Sequence, residues 1–420
     1  MKHAAISRIR QANETVFERI INADPILFDV RRAATTIPGM QGWVILHAGP
    51  PIGWSRMSGP MKAAITGAIL FERWANSTQE AEALAASGVI EFSPTHHHQA
   101  VGPMAGIISP SMYLLCVRNA THGNVAFSNL NEGLGRVLRF GALGPDVLSH
   151  LRWLNEWVGP VLKSSLVLSG PISLKPIMIE AMRRGDECHN RHLAGNKLFI
   201  DLLRPYLIKM GMKRIGVNRV LEYIEDNYYF FLNLSLAACK CTADAGKGIP
   251  YSTIVCTLAR NGYETGIRVS GLDDAWFTSE SAVPNGRFFE GFSHQHANPD
   301  MGDSTITETV GIGAFAMGAA PEIVSYLGGR SDDVIDRSRE MYDITYGEHR
   351  DFRIAQFGNR GTPTGIDILR VCETGIAPII NTGIAHRDGS IGQIGAGYVN
   401  APLKCFESAL DEFEERYGRI

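Results

Sequence analysis

The chain has 420 residues, 45% of them hydrophobic and 20% charged, which is a globular composition. This length exceeds one ordinary core, so we expect two or three domains. Lys and Arg total 40 against 43 Asp and Glu, and the formal net charge of −3 gives no broad electrostatic reason to bind nucleic acid or an anionic membrane. The sequence shows neither an apolar run long enough for a membrane span nor a secretory signal. We therefore predict a cytoplasmic protein without nucleic-acid or membrane partners.

The seven cysteines are odd in number and dispersed along the chain. The only close pair, Cys239 and Cys241, has the spacing CxC inside an apolar stretch, whereas zinc and redox sites typically use CxxC. We therefore predict reduced and mostly buried thiols, with no disulfide and no tightly bound metal, which agrees with a cytosolic location.

Residues 1–143 mix short β-rich runs with glycine-rich loops, and we interpret them as an N-terminal α/β lobe. Gly, Pro and Asn bound the three clearest strand candidates, which are residues 42–49, 89–94 and 112–119. A helix is predicted after Ser58, because Pro60 suits a first helical position. A second helix is predicted over 79–87.

The hydrophobic period changes to 3.6 between residues 144 and 246, which predicts a helical domain. From 247 to 420 β-like runs return, at 252–259, 264–271 and a hairpin-like stretch over 275–292. A helix is predicted from about Thr305 and a closing amphipathic helix after Pro402. The predicted fold class is α+β, with two mixed α/β lobes and an interposed small helical domain.

Motifs for nucleotide, zinc-protease or serine-hydrolase chemistry (GxxxxGK[ST], HExxH, GxSxG) are absent from the sequence, and no cofactor is predicted. The loop 96–106 instead contains three consecutive histidines, His96, His97 and His98, followed by Gly102 and Gly106. A histidine facing a cleft can act as a neutral acid–base group, and glycines let a ligand approach the backbone. The alternative is a polar turn with one buried histidine.

Two cations, Arg56 and Lys62, surround the start of the helix predicted after Ser58, whose first turn contains no acidic residue. Exposed amides at a helix start normally attract Asp or Glu. Their absence suits a phosphate or carboxylate ligand, and a Pro-rich structural turn is the alternative.

The segment 185–192 joins two predicted helices and is rich in ligand-type atoms, notably those of Glu187, His189 and Asn190. We predict that Glu187 and His189 take part in catalysis and that Asn190 binds substrate. A metal site is a second reading, although ligands for a closed tetrahedral site are not evident nearby in the sequence. A cap by Asp186 or Glu187 with a solvated histidine is the structural alternative.

The segment 293–309 combines a capping box, Thr305 with Glu308, with more polar groups than capping requires. Further polar loops follow or separate strand-like runs, where rigid supports commonly carry ligand contacts. Together these segments supply the remaining predicted substrate-binding residues: Arg260, Asn261, Asp300, Asp303, Ser304, Thr364, Asp367, Asn381 and His386. We predict that at least three of the loops 96–106, 185–192, 300–305, 361–367 and 381–397 meet at one cleft for a small anion.

The same loops, among them HHHQAVGPMAG, LNEGLGRVLRFG, GDECHNRH and MGDSTITETVG, resemble the YlbE/AllG-like family over about residues 22–410. The resemblance implies two related α/β lobes with a small helical domain. It also implies a subunit of oxamate carbamoyltransferase, which interconverts oxalurate plus phosphate with oxamate plus carbamoyl phosphate in purine and allantoin degradation. That enzyme needs FdrA-like and AllH-like subunits, and a homo-oligomer is a further expectation.

Two other functions remain open from the sequence. The first is a metal-dependent amidohydrolase or lyase that uses His294, His296, Asp300 and Asp303. The second is a non-catalytic scaffold that completes the site of an FdrA-like partner.

Overall fold

The computed structural model describes residues 2–210, 215–323 and 331–419, and it shows an α+β fold. The helices are α1 Lys2–Ile21, α2 Gly59–Phe71, α3 Thr78–Ala86, α4 Pro145–Trp153, α5 Gly159–Ser169, α6 Lys175–Arg183, α7 Leu193–Lys209, α8 Ile215–Asp226, α9 Phe230–Asp244, α10 Ile306–Thr309, α11 Ser331–Glu340, α12 Ile368–Thr374 and α13 Leu403–Tyr417. The strands are β1 Pro25–Arg32, β2 Val44–His47, β3 Glu91–Pro94, β4 Ala100–Val101, β5 Tyr113–Asn119, β6 Val125–Asn129, β7 Ile172–Ser173, β8 Val255–Asn261, β9 Glu264–Val269, β10 Phe277–Glu280, β11 Asn285–Phe288, β12 Met301–Gly302, β13 Thr345–Ile354, β14 Arg360–Ile366, β15 Ile379–Ala385 and β16 Gln393–Asn400.

A five-stranded sheet in the order β4-β6-β5-β1-β7 organises the first part of the chain. Its pairs are antiparallel except for β4 with β6. Helix α9 packs against β1, β5 and β6, and all of its residues from Phe230 to Ala243 are buried. Helix α9 is buried on every side and therefore lies inside the core, where it connects the sheet to the helices around it.

Helices α4 to α9 fill most of residues 145–244, as the 3.6-residue periodicity predicts. The two-residue strand β7 interrupts them and joins the first sheet by pairing with β1. The helices therefore share one core with that sheet, including Leu115, Leu162, Phe199 and Phe230. The division of the chain at 143 and 246 stays a prediction.

The second part of the chain contains a four-stranded sheet in the order β10-β9-β8-β12 and a three-stranded sheet in the order β11-β16-β15. The closing helix α13 begins after Pro402, as predicted, and buries Cys405, Phe406, Ala409 and Phe413 against α12, β9 and β10. Within the described ranges, no helix is both long and apolar enough to cross a bilayer.

Three local predictions for this part were wrong. Segments 361–367 and 381–397 are not loops: β14 covers most of the first, and β15 and β16 form an antiparallel hairpin in the second. The hairpin expected over 275–292 does not form either, since β10 pairs with β9 while β11 pairs with β16. In β14, β15 and β16, glycine and threonine replace the aliphatic alternation that normally indicates a strand. In 275–292 both strands form, and only their pairing differs from the prediction.

The helix predicted from about Thr305 begins there but does not continue through the Gly- and Ala-rich run, because α10 contains only four residues before a 3-10 segment. Gly311 and Gly313 have φ of +84° and +67°, which no continuing α-helix accommodates. The expected capping box is absent. The Thr305 hydroxyl donates to the Leu258 carbonyl, and the Glu308 carboxylate accepts from the His189 ring.

Candidate functional site

A cavity of about 560 Å³ opens beside the 3-10 turn Thr95–His98, which directly follows β3. Four parts of the chain build its wall: this turn with Gln99, the connection from β5 into the start of β6, the end of helix α9 with the residues after it, and strand β9 with the loop that leads to β10. We call it the histidine cavity, and its lining side chains with ionisable or aromatic groups are His96, His97, Asp244, Lys247, Arg268, Asp274 and Trp276.

His96 is fully buried, with its ring Nε2 3.4 Å from Oδ1 of Asp303. Burial and, to a smaller extent, the nearby Lys240 lower the pKa of His96 to about 4, although Asp303 acts in the opposite direction. Burial would raise the pKa of Asp303, but His96 and several donated hydrogen bonds outweigh it and hold that pKa below its ordinary value. His96 is therefore neutral and Asp303 ionised at neutral pH.

Asp303 fixes the position of the histidine turn through three hydrogen bonds that its carboxylate accepts. Its carboxylate accepts from the Thr95 hydroxyl at 2.5 Å, from the Gly49 backbone N–H at 2.8 Å and from the Gly102 N–H at 3.0 Å. Hydrogen bonds to an ionised acceptor are stronger than neutral ones. The Asp303 carboxylate thus connects three segments, namely the residues after β2, the turn Thr95–His98 and the loop that contains Gly102.

His97 contacts Trp276, whose indole Nε1–H donates to His97 Nε2 at 2.9 Å. Because an indole only donates, this ring nitrogen is the acceptor, and the neutral His97 imidazole carries its hydrogen on Nδ1. Desolvation and the charge of Arg268 lower the pKa of His97 and favour that neutral form. His98 instead places its Nε2 2.9 Å from the Ser93 hydroxyl and is not part of the cavity lining.

Two lysines share one carboxylate at the floor of the cavity. Oδ1 of Asp244 lies 2.8 Å from the Lys240 ammonium and 2.7 Å from that of Lys247. Burial lowers the pKa of Lys240 to about 7. Although burial opposes it, the two ammonium groups hold the pKa of Asp244 well below its usual range. The cavity lining thus combines two cationic side chains, Lys247 and Arg268, with the carboxylates of Asp244 and Asp274, and Lys240 lies behind Asp244.

Sequence reasoning missed these cations. Lys240 gave a usable signal, because it is the one charged residue in the run 230–243 and a buried lysine needs a partner. Arg268 and Trp276 lie in ordinary β-like sequence and gave none.

Arg260, which was predicted to bind substrate, is buried and uses its hydrogen-bond donors within the protein. Its five N–H donors contact the two carboxylate oxygens of Asp300 at 2.7 and 3.2 Å, the Gly302 carbonyl at 2.6 Å, and the hydroxyls of Thr305 and Thr382 at 3.0 and 3.3 Å. A guanidinium has only five such donors. Arg260 and Asp300 therefore form a saturated buried ion pair that ties β8 to β15.

The segment 185–192 is also held by internal hydrogen bonds. The Glu187 carboxylate accepts from the backbone N–H groups of residues 189–191, and burial raises the pKa of this carboxyl to about 7. The His189 ring lies 2.8 Å from Glu308, which raises the pKa of His189 against the effect of burial. The Asn190 side-chain amide is buried, and its Nδ2 has no hydrogen-bond partner in the described chain.

Three of the five segments predicted to meet lie close together, namely 96–106, 300–305 and 381–397. Asp303 contacts the first, the Thr382 hydroxyl donates to Asp300 at 2.7 Å, and a Cβ on Gly302 would lie 2.8 Å from Met104 N. The other two, 185–192 and 361–367, meet the chain around Gly311 and Gly313 instead. A shared contact with a ligand stays a prediction, since the histidine cavity takes side chains from the first loop only.

The remaining candidates lie outside the histidine cavity. Arg56 is exposed and pairs with Glu264 at 3.1 Å. Most of the others serve local structure or close packing: Gly102 and Gly106 (against each other), Asn261 (a turn), Ser304 (its carbonyl accepts from Thr307), Thr364 (bonded to the Thr362 carbonyl), Asp367 (the N-cap of α12) and His386 (stacked on His296). Asn381 is fully buried, and neither side-chain amide atom has a hydrogen-bond partner in the described chain.

Comparison with known proteins decides the family. The family model "Oxamate carbamoyltransferase subunit AllG" matches residues 90–304. The AllG protein of Escherichia coli (strain K12), an oxamate carbamoyltransferase subunit by name, is 46% identical over 413 residues, covering 98% of this chain and 99% of its own. The chain belongs to the AllG family. A second E. coli relative, the uncharacterized protein YahG, is also 46% identical, over 411 residues that cover 98% of this chain and 87% of YahG.

A solved structure supports the family's fold. The crystal structure of a conserved protein of unknown function from Enterococcus faecalis V583 superposes with a TM-score of 0.96 at 44% identity, covering 98% of this chain and 99% of that chain. All side chains that line the histidine cavity, and Asp303 behind them, fall inside the segment that the AllG family model matches.

The four residues of the metal-site alternative do not converge in this family member. Asp300 pairs with Arg260, Asp303 lies against His96, and His296 stacks on His386. Across residues 2–210, 215–323 and 331–419, no group of three His, Cys, Asp or Glu side chains is arranged to hold a metal ion.

Proposed function

We propose that this chain is a subunit of a carbamoyltransferase that interconverts oxalurate plus phosphate with oxamate plus carbamoyl phosphate, together with FdrA-like and AllH-like subunits. Membership of the AllG family supports the subunit role. The observation that carries the site assignment is the histidine cavity, where the imidazoles of His96 and His97 and the cations Lys247 and Arg268 line one space. Small anions bind where directional donors and positive charge converge.

The reaction sets requirements that the cavity can meet. A phosphate oxygen attacks the ureido carbonyl carbon of oxalurate, a tetrahedral oxyanion forms, and the bond from that carbon to the oxamate nitrogen breaks. The departing nitrogen takes a proton. Such a step needs a held phosphate, donors for the oxyanion and a proton source. A single well-placed oxyanion donor contributes roughly 3 kcal/mol of barrier lowering.

The geometry suggests separate roles for the neighbouring histidines. His97 has its Nε2 occupied by Trp276, so its Nδ1–H is the group available to donate to an oxyanion. His96 is fully buried against Asp303 and positions the turn that carries His97. Asp303 fixes that same turn through Thr95 and Gly102. His97 is thus the proposed catalytic residue, and His96 and Asp303 are positioning residues.

The test is carbamoyl transfer by the complex assembled with FdrA-like and AllH-like subunits. Oxalurate phosphorolysis is measured for the wild type, for His97→Gln and for His122→Gln, an exposed histidine that serves as the matched control. We expect His97→Gln to lower kcat about 100-fold, the usual effect of losing one oxyanion donor, while His122→Gln keeps wild-type turnover.

Each contrary outcome has a distinct meaning. A wild-type complex that does not phosphorolyse oxalurate would overturn the proposed reaction. A His97→Gln complex with full turnover would overturn the catalytic assignment and indicate a scaffold that completes the site of its FdrA-like partner.

A further inference from the structure

Arg268 is a buried cation with spare hydrogen-bonding capacity. It lies on β9, it is 3% exposed, and its side chain lines the histidine cavity. Its Nε has no hydrogen-bond partner among the described residues. Leaving a buried polar donor unpaired costs free energy, and more so when the group is charged. A binding partner for Arg268 is therefore needed from outside the chain, either solvent or a ligand.

The ion-pair partner of the buried Arg268 is an exposed carboxylate. One terminal nitrogen of the guanidinium pairs with the carboxylate of Asp274, whose side chain is 88% exposed while that of Arg268 is 4% exposed. Asp274 lies in the loop between β9 and β10, at the rim of the cavity. An exposed carboxylate regains its hydration when it leaves such a pair, so it is easily displaced.

The other groups around the cavity favour a tetrahedral anion. The carboxylate of Asp274 contacts Arg268 through one terminal nitrogen and leaves the Nε of Arg268 unpaired among the described residues. Lys247 and His97 approach the same space from other elements, α9 with its following residues and the histidine turn. A phosphate group, with oxygens in several directions and up to two negative charges, can use all three side chains.

We propose that the histidine cavity binds the phosphate-bearing substrate and that Asp274 occupies the phosphate position on Arg268 until the substrate displaces it. The identity of that substrate as inorganic phosphate or carbamoyl phosphate rests on the proposed function. The expected affinity for inorganic phosphate is independent of the proposed function, because it is argued from the side chains of the cavity alone. Asp274 thereby weakens binding, and removal of its charge strengthens it.

The experiment compares two neighbouring carboxylates. Asp274→Asn removes the charge beside Arg268. Asp273→Asn makes the same change in net charge one residue earlier, at an exposed side chain that pairs with Arg416 at 2.7 Å. Asp273 has φ of +53°, a conformation that asparagine tolerates. Binding of inorganic phosphate to the full-length chain is measured by calorimetry at low ionic strength.

We expect Asp274→Asn to tighten phosphate binding about two- to fivefold, the scale of a lost exposed charge interaction, and Asp273→Asn to leave it unchanged. Arg268→Gln removes the guanidinium and should abolish binding. A gain of affinity does not come from misfolding, so Asp274→Asn tests the proposal independently of stability. Equal effects of Asp274→Asn and Asp273→Asn, or no effect of either, would overturn it.

Oxamate provides the second arm of the same experiment. If Asp274→Asn tightens oxamate and not phosphate, the cavity is a carboxylate site and the phosphate assignment is wrong. If phosphate binds as expected but the assembled complex does not transfer carbamoyl groups, the proposed function fails while the phosphate site stands.

Discussion

The buried histidine of the cavity makes stability depend on pH in a way that one substitution can isolate. His96 has a pKa of about 4 in the folded chain and an ordinary pKa near 6.5 when unfolded. Between these values the unfolded chain binds a proton that the folded chain excludes, so acidification favours unfolding. The contribution is fully present above about pH 6.5 and declines as the pH falls towards about 4.

The size of this effect follows from the two pKa values. At about pH 5, protonation of His96 in the unfolded chain lowers the free energy of unfolding by about 2 kcal/mol relative to about pH 8. His96→Asn removes the titrating ring and therefore this part of the pH dependence. Other histidines with lowered pKa, such as His192 and His349, titrate in both proteins, and their effects cancel in the difference.

Urea denaturation followed by tryptophan fluorescence is a suitable assay, since the Trp276 ring lies 6.0 Å from that of His96. The quantity compared is the wild-type minus His96→Asn difference in unfolding free energy, at about pH 8 and about pH 5. His122→Asn, at an exposed position, controls for loss of a histidine as such. A wild-type minus His96→Asn difference that stays constant over this range would refute the assignment of His96 as a buried neutral group.

Other predictions concern the interior. Asp300→Ala should destabilise the chain by about 3–5 kcal/mol in urea denaturation, because it leaves the buried Arg260 guanidinium without its carboxylate; a loss below about 1 kcal/mol would contradict a buried pair. Gly311→Ala should lower the free energy of unfolding by at least about 2 kcal/mol, because the new Cβ would sit at positive φ and would also clash with Thr364 Oγ1. The control Gly358→Ala, at φ +68°, meets no atom within 4 Å and should lower it by about 1 kcal/mol. Equal losses in the two variants would show that the close packing at Gly311 is unimportant. Thiol titration of denatured, unreduced protein should give seven free thiols, and a lower number would reveal a disulfide.

The regular elements of this fold could be predicted from local sequence. The helix beginning after Ser58 has Pro60 in its first turn, and the strand runs at 42–49, 89–94 and 112–119 contain β2, β3 and β5. In these segments periodicity and boundary residues agree with tertiary structure.

The glycine-rich strands could not be predicted by the same rules. In β16 the residues Gly395 and Gly397 face β11 so closely that a Cβ at either position would clash with the backbone of Arg287 or Asn285. A strand selected for close backbone approach shows no aliphatic alternation and resembles a loop in sequence. The local sequence also does not show which partner a charged residue has, because nothing near Arg260 indicates that it pairs with Asp300 and not with a ligand.

The shared carboxylate on α9 has a consequence for how relatives diverge. Asp244 neutralises two ammonium groups at once, so its loss would leave two like charges facing each other in a desolvated space. We therefore do not expect ligand preference to change through substitutions of Asp244 and the two lysines. The rim carries no such penalty, since Asp274 and Gln99 are largely solvated and can change singly. AllG-family members that prefer different anions should accordingly share the lysine pair and differ first at positions 99 and 274.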